Sequence, residues 1–338
     1  MTARLCLVTM VFLLVYVGHG FRQSSVYRFR RLQLDRVRTL KDVATPTKTS
    51  PAQESLNPAN PVFVYPGLRS EMFSHELDTQ AIQLLSRIPF IQTIARNLFK
   101  TIESALVVEN LSSAILVGPK QMPKLYERLK EACAILDMKT IPDVYVKQNP
   151  IPNAYTLAFQ GKRPFIVVHT GLLDLMNEKE VMAVLGHELG HLKCEHGIWV
   201  TIISLMVQLG DSVLGSLLPI RNLLYLWQRS AEYSCDRASL LVARDHKVVA
   251  SVLMKLCGGS VKNNFSKEMN VDAFLDQAKE LESERKSLTG NLYLLASEQV
   301  STHPIPLLRA VELVKWSRSP QYLGLMKRAV PKTVQVSE

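Results

Sequence analysis

His187, Glu188 and His191 stand in the order His-Glu-x-x-His inside the largely apolar stretch 181–196. On a helix, side chains four positions apart share a face, with Cβ atoms about 5–6 Å apart. Two imidazoles at that spacing can grip one Zn²⁺. Glu188, beside His187, is then placed to take a proton from a water on that metal. The bland alternative is a helix that carries two core histidines. The flanks favour chemistry. Asn177 followed by Glu180 reads as an N-cap with a capping box. Val181, Val184, Leu185 and Leu192 keep helical spacing, and Gly197 is a plausible stop. The pattern predicts a helix over 177–196.

A catalytic zinc usually takes three protein ligands and a water. The metzincin pattern would put Gly at 194 and His at 197, but these positions hold Cys and Gly. His196, five residues past His191, projects away from the ligand face of a continuous helix. It is expected at the surface, or supporting the ligands from behind. A better third ligand lies in the segment 229–238, where Glu232 and Asp236 share a helix face. Glu232 would complete a His₂Glu set. Asp236 would accept the Nδ1–H of a ligand histidine, His187 by preference, and so fix its tautomer. A solvated charged face is the alternative, and the apolar neighbours Ala231, Ala238, Leu240 and Leu241 weaken it.

His-Glu-Leu-Gly-His followed by Glu-Tyr-Ser-Cys-Asp-Arg-Ala resembles the HtpX and CAAX-prenyl-protease family of zinc metallopeptidases, which are gluzincins. The likeness covers about residues 65–326. Within that family the chain is similar to the plant plastid, plastoglobule type, on the segments 152–157, 164–170 and 187–196. The resemblance implies further roles. Asn153 and Ala154 match the gluzincin substrate strand and would contact a peptide backbone. His303 and Arg309 match a His-Pro…Arg element. There the histidine lies over the metal and stabilises the oxyanion, and the arginine anchors it.

The formal net charge is +10, yet residues 1–50 hold nine Lys/Arg against two acids. The basic balance is thus a property of the N-terminus and not a nucleic-acid footprint. Residues 1–20 carry Arg4, an apolar run and Gly18-His19-Gly20, which is a signal-peptide pattern. The Arg- and Ser-rich residues that follow, beginning at Phe21, look like a transit peptide and run into a Pro-rich linker ending near 62. Such a two-part leader resembles that of proteins bound for secondary plastids. A secretory-pathway membrane protein with a basic linker is the alternative. The metallopeptidase domain is expected over 63–328, with a tail at 329–338. The five cysteines form no Cys-x-x-Cys pair. Cys194 and Cys235 are expected near the site as buried free thiols, in a reducing compartment.

The pattern predicts a helix over 77–100, broken near Pro89, then a shorter one to Leu116 and a clearer one over 123–138. Short strands follow at 143–147, 155–159 and 164–170, with a hairpin turn at Gly161-Lys162. A strand ahead of the zinc helix can offer an open edge to an extended peptide. Residues 198–220 are apolar apart from Gln208 and Asp211. One membrane crossing would strand Glu232 on the far side from His187 and His191, and two need about 40 residues. The segment 198–227 is therefore either buried or a hairpin on a membrane or lipid surface. Helices are expected at 247–256, 271–281, 291–300 and 305–317. The fold class is α+β, mostly helical, with a small mixed sheet on the zinc helix. The function read from these residues is a zinc metalloendopeptidase acting on protein or peptide substrates with one Zn²⁺ per chain. A non-catalytic zinc-bound membrane-surface scaffold is the alternative.

Overall fold

The computed structural model describes residues 62–86, 108–158, 163–197, 218–260, 265–298 and 304–332. The chain divides into Met1–Asn60 and Pro61–Glu338, and all described residues belong to the second unit. The leader, the linker as far as residue 61, the hairpin turn at 161–162 and the segment 198–217 lie outside them. So do the later part of the predicted 77–100 helix and the end of the tail.

Among the described residues, six strands and ten helices of six residues or more carry the fold. The strands are β1 Val62–Val64, β2 Ile115–Leu116, β3 Asp143–Lys147, β4 Ala154–Leu157, β5 Phe165–His169 and β6 Val330–Lys332. The helices are α1 Glu76–Ser86, α2 Pro123–Ile135, α3 Thr170–Leu175, α4 Glu178–Lys193, α5 Leu218–Ala243, α6 His246–Gly258, α7 Val271–Glu284, α8 Leu288–Glu298, α9 Pro306–Ser317 and α10 Pro320–Arg328. A single helical turn, Phe265–Glu268, precedes α7.

Four strands form a mixed sheet in the order β2-β3-β5-β4, with β3 and β5 parallel and the outer pairs antiparallel. Every residue of β5 is buried, because both faces of the sheet are covered. Val144, Val146, Ile166 and Val168 join the main core with α4. Tyr145, Phe165 and Val167 pack with Ala114, Tyr155 and Leu157 on the other face. Ile115 and Leu116, read from sequence as the end of a helix, instead add a strand to the open edge of β3. That pairing satisfies backbone groups a helix end would leave to water. The first residues after the linker also pair: β1 lies antiparallel to β6, with Phe63 opposite Pro331.

The helix α4 starts as its sequence dictates. The Asn177 side chain accepts from the Glu180 N–H at 3.0 Å, and Glu180 Oε2 accepts from the Asn177 N–H at 2.7 Å. Glu180 is itself buried and also accepts from Ser251 Oγ and Lys255 Nζ of α6, both at 2.6 Å. Leu185 and Leu189 are fully buried, and each contributes about 1.5–3 kcal/mol of burial.

Along its other side α4 lies unusually close to α5. A Cβ built on Gly186 would fall 2.9 Å from Val242 Cβ, and one on Gly190 would fall 2.9 Å from Ala238 Cβ and 3.0 Å from Cys235 Cα. Ser239 Oγ donates to the Ala183 carbonyl across the same seam at 2.7 Å. Two glycines four apart therefore set the spacing between the two helices. Gly190→Val is expected to cost about 3 kcal/mol, because the obstacle is backbone that cannot rotate away. Thermal unfolding checks this, and a variant as stable as the parent would refute it. Among the described residues, no helix is long and apolar enough to cross a membrane.

Candidate metal centre

The α4–α5 seam brings three predicted ligands to one point. Glu232 on α5 places Oε2 3.5 Å from His187 Nε2 and Oε1 3.6 Å from His191 Nε2. Donor atoms about 2.0–2.1 Å from a common tetrahedral centre would stand roughly 3.4 Å apart. Each imidazole nitrogen thus stands at about that separation from one oxygen of the Glu232 carboxylate, as two ligands of a shared zinc would. Cys235 is a rival donor, since its sulfur lies within 4.8 Å of ligand atoms on both histidines. Burial, ahead of the neighbouring negative groups, holds its thiol well above the ordinary value. The thiolate a metal needs is costly to form there.

Asp236 stands one turn beyond Glu232 and meets His187 Nδ1 with Oδ1 at 3.1 Å. Arg309, on α9, donates from Nε to Asp236 Oδ2 at 2.8 Å and from Nη2 to Oδ1 at 2.7 Å. Its Nη1 reaches Glu232 Oε2 at 3.1 Å. The resemblance made Arg309 the anchor of a histidine over the metal. In the structure its fork grips Asp236 and its remaining nitrogen steadies Glu232. Burial alone would raise the Asp236 pKa, but the guanidinium and the bond from His187 outweigh it and hold the carboxyl below its usual range. Burial would lower the His187 pKa, yet its bonds to Asp236 and Glu232 win and push it up to about 9. A metal ligand must be the neutral imidazole, so a cation binding His187 would compete with a proton there.

Glu188 is buried, and its Oε2 lies 2.7 Å from the Thr156 hydroxyl, which donates to it. The same hydroxyl is 3.2 Å from the Glu188 carbonyl. Thr156 belongs to β4, the outer strand of the sheet, so the carboxylate sits against the sheet's edge. Ala154 opens β4 opposite Val168, and the exposed Asn153 just before it accepts the His169 N–H at 2.9 Å. The edge of β4 facing away from β5 pairs with no strand among the described residues. His303 lies outside the described residues.

His196 takes the second of the two places expected for it, behind a ligand rather than at the surface. It is buried, with its Nδ1 3.2 Å from His191 Nδ1 and its Nε2 2.8 Å from Asp78 Oδ2. The helical projection fails here because α4 ends at Lys193. Glu195 then adopts a left-handed φ of 57°, which turns the chain back beneath His191. Asp78, on α1, also accepts from Ser234 Oγ at 2.6 Å and Trp227 Nε1 at 3.0 Å. Cys194 and Cys235 are both buried free thiols beside this cluster, as expected. Asp78, Ser234, Trp227 and Thr156 were not singled out from sequence. The only cue to Asp78 is an acid in the first turn of an apolar helix, 118 positions from its partner histidine.

A model of peptidase family M48 matches residues 119–317. The plastoglobule-localized metallopeptidase 48, chloroplastic, of Arabidopsis thaliana is 44% identical over 283 residues, 82% of this chain and 81% of that protein. The protease HtpX homolog 2 of Methanosarcina mazei is 25% identical over 175 residues, 44% of this chain and 59% of that one. The solved structure of S. mikatae Ste24p aligns over 70% of this chain and 61% of its own, at a TM-score of 0.37 and 14% identity. The chain belongs to peptidase family M48, and it is a metallopeptidase of the HtpX and CAAX-protease-like kind.

Proposed function

We propose that this chain is a zinc-dependent endopeptidase whose metal is held by His187, His191 and Glu232. The observation that carries the reading is the meeting of three donor groups from two helices at 3.5 and 3.6 Å, with the buried Glu188 carboxylate beside them. Zinc bound there supplies a Lewis acid for the scissile carbonyl and lowers the pKa of a bound water to about 7. Glu188 accepts the proton of the attacking water and returns it to the leaving amine. Thr156 holds the Glu188 carboxylate through its hydroxyl contact of 2.7 Å. Asp236 accepts from His187 Nδ1 and keeps the Nε2 lone pair turned inward, and Arg309 locks Asp236.

An extended peptide lies along β4 as an added strand, with Asn153 and Ala154 meeting its backbone. By the family resemblance, His303 donates to the oxyanion of the tetrahedral intermediate. The Arg-rich leader and the chloroplastic, plastoglobule-localized relative from Arabidopsis thaliana support a plastid location. The largely apolar segment 198–227 supports association with a membrane or lipid surface.

The test is metal analysis of the purified full chain alongside casein cleavage, with and without a chelator. One zinc per chain and cleavage that stops with chelation and returns with added zinc are expected. Zinc without cleavage would make the chain a scaffold, and a chain that takes up no zinc would end the reading.

A further inference from the structure

Asp236 orients His187 through its Nδ1, and the Nδ1 side of His191 is occupied as well. What stands there is a second imidazole. His196 Nδ1 lies 3.2 Å from His191 Nδ1, with the two rings nearly edge to face at 76°. On its far side, His196 Nε2 meets Asp78 Oδ2 at 2.8 Å. Asp78, His196 and Ser234 are 0%, 1% and 0% exposed, so water cannot substitute for any of these partners.

We propose that His196, backed by Asp78, is the positioning residue for His191. The inference rests on the assignment of His191 as a metal ligand. Two facing Nδ1 atoms bond only when one carries a proton and the other does not. A neutral His191 that gives its Nε2 lone pair to a cation keeps its proton on Nδ1, so it donates. His196 must accept at Nδ1, which puts its own proton on Nε2, where Asp78 accepts it. Trp227 Nε1 already donates to Asp78 Oδ1 at 3.0 Å and Ser234 Oγ to Oδ2 at 2.6 Å, so the carboxylate is held fast. The Cys235 thiol, 3.5 Å from the same His196 nitrogen, is only a weak competing donor. One arrangement of protons satisfies the whole chain. It runs from α4, past the turn at Glu195, to α1 and α5.

The near-isosteric Asp78→Asn tests this directly. The Trp227 N–H requires an oxygen at the Oδ1 position, so the new amide nitrogen must face His196 Nε2 and donate to it. That forces the His196 proton onto Nδ1, against the proton of His191. Zinc affinity, read by competition with a chelating dye, is expected to fall roughly 10- to 100-fold. The visible absorption bands of the cobalt-substituted protein, which report ligand geometry, are expected to shift.

A second pair separates orientation from packing. In His196→Gln the amide reaches towards Asp78 but leaves His191 without an acceptor. In His196→Asn the side-chain oxygen stands where Nδ1 stood and gives up Asp78. Positioning predicts weakened zinc binding and altered cobalt bands in His196→Gln, with metal-free thermal stability near the parent. His196→Asn should show the reverse, with lowered stability and near-parental cobalt bands. Wild-type zinc affinity and cobalt bands in both Asp78→Asn and His196→Gln would overturn the positioning role alone. Failure of the parent chain to take up zinc would remove the ligand assignment and this inference with it.

Discussion

Glu188→Gln is expected to lower kcat about 10³-fold, within the 10²–10⁴ range of a general acid–base group and equal to about 4 kcal/mol of barrier. Zinc content and KM should stay close to the parent's. The three donors proposed for the metal are His187, His191 and Glu232, and none is lost. The substitution keeps an oxygen that can accept from the Thr156 hydroxyl, now 2.7 Å from Oε2, so the side chain has a reason to stay in place. What it loses is the ability to take a proton. Casein cleavage measured alongside zinc stoichiometry reads both halves. Cleavage at the parental rate would remove Glu188 from its role, and loss of zinc would show that the residue serves the metal instead.

Arg309→Met should give the largest loss of stability, about 3–5 kcal/mol, or roughly 10 °C in Tm. Arg309 makes contacts of 2.8 and 2.7 Å to Asp236 and 3.1 Å to Glu232; both carboxylates are buried and the Arg309 side chain is 11% exposed. Removing the cation leaves two carboxylates in a dry interior without their counter-charge. The pH dependence has a definite sign. The folded pKa of Asp236 is depressed, so its contribution is present above the unfolded value and is lost as pH falls through the folded one. Without Arg309 that depression shrinks, and the variant should shed stability at a higher pH than the parent on acidification. Adding Asp236→Asn to Arg309→Met should return part of the Tm, because one stranded charge is gone. Denaturant and thermal unfolding from about pH 2 to pH 7 test the set, and an unchanged Tm for Arg309→Met would show that the network contributes no net stability.

The parts of the molecule that follow a regular period were legible from sequence. The Asn177 and Glu180 pair marked the start of α4, and β3 lies where the apolar run placed it. His187, His191, Glu232 and Asp236 could be read because each pair sits four apart on one helix. Joining the two helices needed only the chemistry of a third ligand. The Asp78–His196 contact was not legible for the opposite reason. Its partners lie on different elements, and one follows a left-handed residue where no helical period applies. The glycine seam was missed too, since Gly186 and Gly190 look like poor helix formers until the approach of Val242 and Ala238 shows why nothing larger fits. The strand at Ile115–Leu116 was hidden because two residues have no period to detect, and only β3 gives them a partner.

Glu180 does more than cap a helix. It accepts from Ser251 and Lys255 as well as from its own N-terminal turn, so the first turn of α4 is riveted to α6. Just past the other end, His196 is moored to α1. A rod pinned at both extremities has little freedom to slide or roll. Whatever yields when a polypeptide arrives and departs is therefore the surroundings of this helix, while the groups it bears stay in register from one cycle to the next.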